Sequence, residues 1–218
     1  MYTCAHCRKQ ACNGDDRAAA PRDCPGRDPA STEVLPGYLE DEQTRAIARN
    51  AALVESHGYC RSTRVEEIMD FARRCGFQHI GIAFCVGLQR EAAVFARVLR
   101  ANGFTVDSVA CKNGSIPKES LGIADADKLS PGEFEPMCNP IGQAALLEKA
   151  GTQLNVILGL CVGHDTLFLR SSAAPTTVLA VKDRVLGHNP MAALYLAESY
   201  YREKLFGVAE GTAAGSGD

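Results

Sequence analysis

His79-Ile80-Gly81-Ile82-Ala83-Phe84-Cys85 is an almost unbroken apolar run closed by a cysteine. A continuous run of strand length, rather than an alternating one, predicts a β-strand buried on both faces, as in a parallel sheet. The residues on its carboxyl side repeat the theme. Residues 88–101 read as a helix, with Ala93, Val94, Ala96, Val98 and Leu99 mostly inward and Asn102-Gly103 closing it. Residues 104–110 form a second strand ending at Cys111, and 154–160 a third ending at Cys161. Residues 176–181 make a further strand. Strands alternating with helices define an α/β fold: a Rossmann-like parallel sheet with flanking helices.

The connections carry their own signals. Met137-Cys138-Asn139-Pro140 starts a helix, with Asn139 as N-cap and Pro140 at the first helical position. A short helix starts near His164-Asp165, and His188-Asn189-Pro190 opens a last helix through about Lys204. The loop after Cys111 runs about 25 residues, too long for an ordinary connection and so functional or mobile.

This order has a geometric consequence. Open parallel sheets collect ligands outside the carboxyl ends of their strands. Cys85, Cys111 and Cys161 each end a strand, and Cys138 precedes a helix whose start points to the same edge. Four thiols spaced 26, 27 and 23 residues apart are expected to converge there.

Upstream the composition changes. Residues 1–37 are rich in Cys, Pro, Gly, Asp and Arg and lack apolar periodicity. Such a segment cannot bury enough surface to offset its ordering entropy, and a metal would have to hold it. Its cysteines fall as Cys4-x2-Cys7-x4-Cys12-x11-Cys24, with His6 a substitute ligand. Cys12 and Cys24 are not the second close pair of a zinc ribbon, which leaves zinc and iron–sulfur both open. Pro36-Gly37 reads as a turn and boundary. A helix over 40–56 follows, with Ile47, Ala51, Leu53 and Val54 at helical spacing. Thr63-Arg64-Val65-Glu66 is a capping box, Ile68, Met69, Phe71 and Ala72 supply an apolar face, and Gly76 ends that helix. The organisation is thus a Cys-rich metal-binding segment (1–37), an α/β domain (38–206) and a small, polar, disordered tail (207–218).

With 218 residues, 46% of them hydrophobic, and a net charge of −3, the chain has no strong electrostatic pull toward nucleic acid or an anionic membrane. No apolar run reaches the ~18 residues of a spanning helix. Met1-Tyr2-Thr3-Cys4 lacks a secretory signal. A reducing cytoplasm follows as the expected location, where ten cysteines are ligands or redox groups rather than disulfide staples. No G-x-G-x-x-G follows a strand, and no Walker motif, H-E-x-x-H or G-x-S-x-G occurs.

Other residues join the rim with a sharp and a bland reading each. In Gly159-Leu160-Cys161-Val162-Gly163-His164-Asp165, His164 and Asp165 supply a proton donor or oriented ligand, or merely cap a strand-to-helix turn. Lys182 and Arg184 pair with an anionic ligand or thiolates, or are solvated; Lys112 adds to that positive field. Cys75 fits a small apolar core residue, and the same reading extends to Cys60.

Ile80-Gly81-Ile82-Ala83-Phe84-Cys85, Val109-Ala110-Cys111-Lys112, Met137-Cys138-Asn139-Pro140, the Gly159–Asp165 run and Val181-Lys182-Asp183-Arg184-Val185 resemble DUF1847, a prokaryotic family described as predicted metal-binding proteins. The resemblance covers nearly the whole chain, including the Cys4-x2-Cys7 segment. It implies metal-ligand roles for Cys4, Cys7, Cys12, Cys24, Cys85, Cys111, Cys138 and Cys161, with the metal undecided.

The expectation is a metal-binding protein holding an iron–sulfur cluster (4Fe–4S first) or zinc. A redox or small-molecule role would sit at the strand edge, with Lys112, His164, Asp165, Lys182 and Arg184 as ligand-binding residues. If it is an enzyme, an oxidoreductase or cluster-linked activity is expected. The rival is a non-catalytic zinc-stabilised adaptor or regulatory protein.

Overall fold

The structure is a computed structural model and describes residues 1–207; most of the tail expected to be disordered, 208–218, lies outside the described residues. The chain divides into two compact units, Met1–Cys75 and a second from Gly76 onward.

The first unit begins with four single 3-10 turns, then α1 (Ala30–Glu33), α2 (Leu35–Leu39), α3 (Glu42–Gly58) and α4 (Arg64–Arg74). No residue before Asn50 is buried, as the apolar-poor composition dictates. Polar contacts organise this segment instead. The Arg27 guanidinium donates to the carbonyls of Ala18, Ala20 and Pro21 at 2.7–3.2 Å. The turn expected at Pro36-Gly37 is instead part of α2, where Pro36 occupies the first turn and forfeits no helical hydrogen bond. Asp41 caps α3 by accepting from the Thr44 amide at 2.6 Å. The inward stripe of α3 includes Asn50, Val54 and Gly58, while Ala51 faces out. Asn50 is a buried polar residue that apolar periodicity overlooks; its amide donates to the Arg74 carbonyl at 3.0 Å. The capping box of α4 forms in both directions between Thr63 and Glu66, and Gly76 takes the left-handed φ of +74° that ends the helix. Cys75 is half-buried, with burial pushing its thiol pKa up. Cys60 is exposed at a φ of +55°, so it is a turn residue and not core.

The second unit holds β1 (His79–Phe84), α5 (Gln89–Ala101), β2 (Thr105–Ala110), α6 (Pro140–Ala150), β3 (Leu154–Leu160), α7 (His164–Ser171) and β4 (Thr176–Val181). All four strands are parallel, in the order β2-β1-β3-β4. The α/β architecture read from the sequence is therefore the observed one. Because the order reverses after β2, right-handed crossovers set α5 on one face and α6 with α7 on the other. The reversal leaves a crevice beyond the carboxyl ends of β1 and β3, the usual ligand position in such sheets. Every residue of β3 is buried, as its apolar run requires.

Two helices differ from expectation. The buried face of α5 is Ala92, Phe95, Ala96 and Leu99, an i, i+3, i+4, i+7 stripe, whereas Ala93 and Val94 face outward. The aromatic Phe95 fixes the face, since it buries more area than Val94 could. The last helix is broken into α8 (Met191–Tyr195) and α9 (Arg202–Phe206). Ser199-Tyr200-Tyr201, three residues of middling helix propensity, lie in the turns between.

Candidate metal and thiol site

Each rim cysteine is set by the backbone that precedes it. Cys85 follows β1, and its amide donates to the Leu158 carbonyl at 3.1 Å. Cys111 follows β2 and donates to the Phe84 carbonyl at 2.9 Å. Cys138 arrives through the long loop, which is pinned rather than free. An antiparallel bridge joins Pro117 to Pro136, Lys118 pairs with Glu135 at 2.5 Å, and the Lys128 ammonium meets both Glu119 and Asp125. The Asn139 amide then donates to the Cys111 carbonyl at 2.7 Å, which sets Cys138 beside Cys111. As the sequence predicts, the Asn139 side chain caps α6, accepting from the Gly142 amide at 2.9 Å.

Gln143, one turn into α6, ties the helix to the sheet edge. Its side-chain amide, fully buried, donates to the carbonyls of Phe84 at 3.1 Å and Val109 at 2.6 Å. Its carbonyl oxygen is buried with no partner among the described residues. Nothing in the periodicity of this segment distinguishes Gln143 from a solvated residue.

The Sγ atoms of Cys111 and Cys138 lie 3.8 Å apart. Contact order in the chain gives no hint of this pairing; the two are joined by the path of a 25-residue loop. Cys111 is 2% exposed and Cys138 half-buried. The shared hydrogen bond pushes Cys111 up and holds Cys138 down at about 5, with Lys112 and His164 adding positive charge near Cys138 against the cost of its burial. The two sulfurs thus share one hydrogen bond, and the positive charge of Lys112 lies on the Cys138 side of it. Lys112 also donates to the Pro136 carbonyl, so one ammonium serves the loop and the thiolate. The Val86 amide donates to the Cys111 sulfur at 3.4 Å.

On the far side of the crevice, Cys161 accepts from the Arg184 guanidinium at 3.1 Å. That contact raises the arginine pKa further, with Cys85 and Cys138 acting in the same direction from farther away. Lys182 runs past two glycines: its Cε and Nζ lie 4.0 and 3.7 Å from where a Cβ would stand on Gly159 and Gly87, and the Cys85 sulfur is 3.9 Å from the latter point. Gly159 itself has a φ of +68° and sits at a register shift of β3 against β4. This bulge re-aims the chain just before Cys161. Asp165 is engaged locally, accepting from the Thr166 amide at 2.8 Å.

The structure thus groups Cys85, Cys111, Cys138, Cys161, Lys112, His164, Lys182 and Arg184 along one rim. Among the described residues no three Cys, His, Asp or Glu side chains surround a single point at metal-binding distances. The Cys111–Cys138 separation nonetheless matches the ~3.8 Å edge of a tetrahedral site with ~2.3 Å metal–sulfur bonds. The pair fits two corners of such a site, and Cys85 and Cys161 are the remaining sulfur donors of the rim.

In the first unit, Cys4 and Cys7 occupy one tight turn, the Cys7 amide donating to the Cys4 carbonyl at 3.0 Å. Cys12 and Cys24 line a cavity of about 230 Å³ with Asp15 and Arg17. His6 is exposed. All ten cysteines are free thiols.

The fold and rim define an α/β protein whose sheet edge carries thiols from four separate segments. The chain belongs to the family described as protein of unknown function DUF1847, whose family model matches residues 25–179. The match begins one residue past Cys24 and ends before Lys182 and Arg184; it includes all four rim cysteines. The chain is also similar to an uncharacterised protein of Methanocaldococcus jannaschii, 42% identical over 202 residues, which are 93% of this chain and 97% of the relative. No solved structure matches the chain.

Proposed function

We propose that this protein binds metal through cysteine thiolates, with its main centre at the carboxyl rim of the sheet. The observation that carries the reading is the 3.8 Å approach of the Cys111 and Cys138 sulfurs. Thiolates are soft ligands suited to zinc and iron. In a four-iron cluster each cysteine binds a different iron, so sulfurs this close suit a single shared tetrahedral ion better. That favours zinc, or one iron of a smaller cluster, over the four-iron cluster. Lys112 and Arg184 then offset the negative charge of the thiolates. A bound zinc would supply Lewis acidity, an iron centre electron transfer; either suits a redox or small-molecule role at this edge. Cys4, Cys7, Cys12 and Cys24 are the ligand set of a second, N-terminal site, in a segment without buried residues to hold it. The reading places the protein in a reducing cytoplasm, where thiolates stay free.

One observation favours the adaptor reading. Cys85 and Cys111 pack in an apolar cluster with Ala83, Ala144, Leu147, Ile157, Leu160 and Phe168, as plain core cysteines do.

Elemental analysis and absorption spectra of anaerobically purified protein separate the two. Rim binding predicts metal that Cys111→Ala and Cys138→Ala both release, with a band near ~400 nm if iron is present and none for zinc. Unchanged metal content in both variants would leave only the N-terminal site and favour the adaptor.

A further inference from the structure

We infer that Cys111 and Cys138 form a two-electron dithiol–disulfide couple that exchanges with an incoming disulfide, Cys138 attacking and Cys111 resolving. This goes beyond metal binding at the rim and stands without it.

The geometry is asymmetric in the way such a couple needs. Both sulfurs are free and 3.8 Å apart, so side-chain rotation has to close only the gap to a ~2.0 Å bond. Their backbones are already adjacent, through the Asn139 amide on the Cys111 carbonyl at 2.7 Å. Cys111 is sealed at 2% exposure, whereas Cys138 is half-buried at the mouth of the rim. An incoming disulfide therefore meets Cys138 first. Lys112, bonded to the Pro136 carbonyl two residues earlier, holds positive charge beside that sulfur. The Val86 amide, 3.4 Å from the Cys111 sulfur, can stabilise charge developing there in the second step.

The steps balance. The Cys138 thiolate attacks one sulfur of RS–SR′, forming a Cys138–S–S–R mixed disulfide and expelling R′S⁻. Cys111 then gives up its proton to the expelled thiolate and attacks the Cys138 sulfur, forming the Cys111–Cys138 bond and releasing RS⁻, which takes a proton from solvent. The incoming disulfide gains two electrons and the protein dithiol loses them. The pair escapes a sequence search because its members follow β2 and precede α6, 27 residues apart, and do not form a C-x-x-C turn.

The test uses full-length reduced protein and oxidised glutathione under anaerobic conditions, with EDTA present so that a bound ion does not mask the thiols. Differential alkylation and peptide mass mapping should find a Cys111–Cys138 linkage, with two glutathione thiols released for each linkage formed. Cys111→Ser should halve that release and trap glutathione on Cys138; Cys138→Ser should leave Cys111 unmodified. Circular dichroism checks that both variants fold. Two free thiols at positions 111 and 138 after full oxidation, or no trapped adduct in Cys111→Ser, would overturn the couple. Metal content measured on untreated protein decides the metal reading separately.

Discussion

The Arg184 guanidinium donates to the Cys161 sulfur at 3.1 Å, linking the residue after β3 to a residue three places past β4. A planar donor held against a sulfur orients it and neutralises its charge. Arg184 thus acts on the rim through Cys161 rather than as a free surface cation.

Arg184→Ala should weaken metal retention by about 10–100-fold, the usual effect of losing a partner that hydrogen-bonds to a ligand. Competition with a chromophoric chelator measures it. Retention equal to that of the parent protein would place Cys161 outside the ligand set.

Cys138 should react with iodoacetamide as a thiolate well below the range of ordinary thiols. In reduced, metal-free protein its alkylation rate should stay level through neutral pH and halve near about pH 5. A free cysteine halves near ~8.5. The linkage to stability has opposite signs for the two sulfurs. The lowered Cys138 contributes stability that is complete above its unfolded pKa and lost as pH falls through about 5. The raised Cys111 contributes stability that is complete below its unfolded pKa and lost as pH rises through its folded value. Urea midpoints measured on the wild type and on a variant with both residues replaced by Ala isolate this contribution.

Gly159→Ala should destabilise the second unit by ~2–3 kcal/mol, combining a left-handed backbone with a buried collision. An added Cβ would stand 2.1 Å from Leu88 Cδ1 at a φ of +68°. Chemical denaturation gives the value. A cost below ~0.5 kcal/mol, the size of an ordinary surface substitution, would mean that the bulge relaxes freely.

Gln143→Ala should cost ~2–4 kcal/mol through lost packing and two lost hydrogen bonds. Because Gln143 anchors α6 beside Cys138, rim metal should also bind less tightly in the folded variant. Denaturation together with metal titration checks both effects.

Much of this architecture was legible in the chain. β1 and β3 announce themselves because apolar runs buried on both faces need no alternation to be recognised, and β1, β2 and β3 each end one residue before a cysteine as read. Thr63 with Glu66 and Asn139 with Pro140 fixed helix starts through local hydrogen-bond chemistry. Where the outcome depended on tertiary contacts, the pattern failed. Val94 is as apolar as its buried neighbours yet faces outward at 44% exposure, and Asn50 is inward because a distant carbonyl awaits its amide. The rim as a set followed from strand polarity. Which sulfurs would touch did not, because the loop path brings Cys138 to Cys111, and Arg184 to Cys161 is a long-range contact.

No two of the rim sulfurs share a local segment, and the arginine that steadies Cys161 comes after the final strand. A growing polypeptide therefore acquires this edge in stages. The Cys111–Cys138 contact is encoded by the start of α6, whereas the Arg184 contact to Cys161 has to wait until synthesis has passed β4. A chain cut short of that point would leave the Cys161 sulfur without its guanidinium partner.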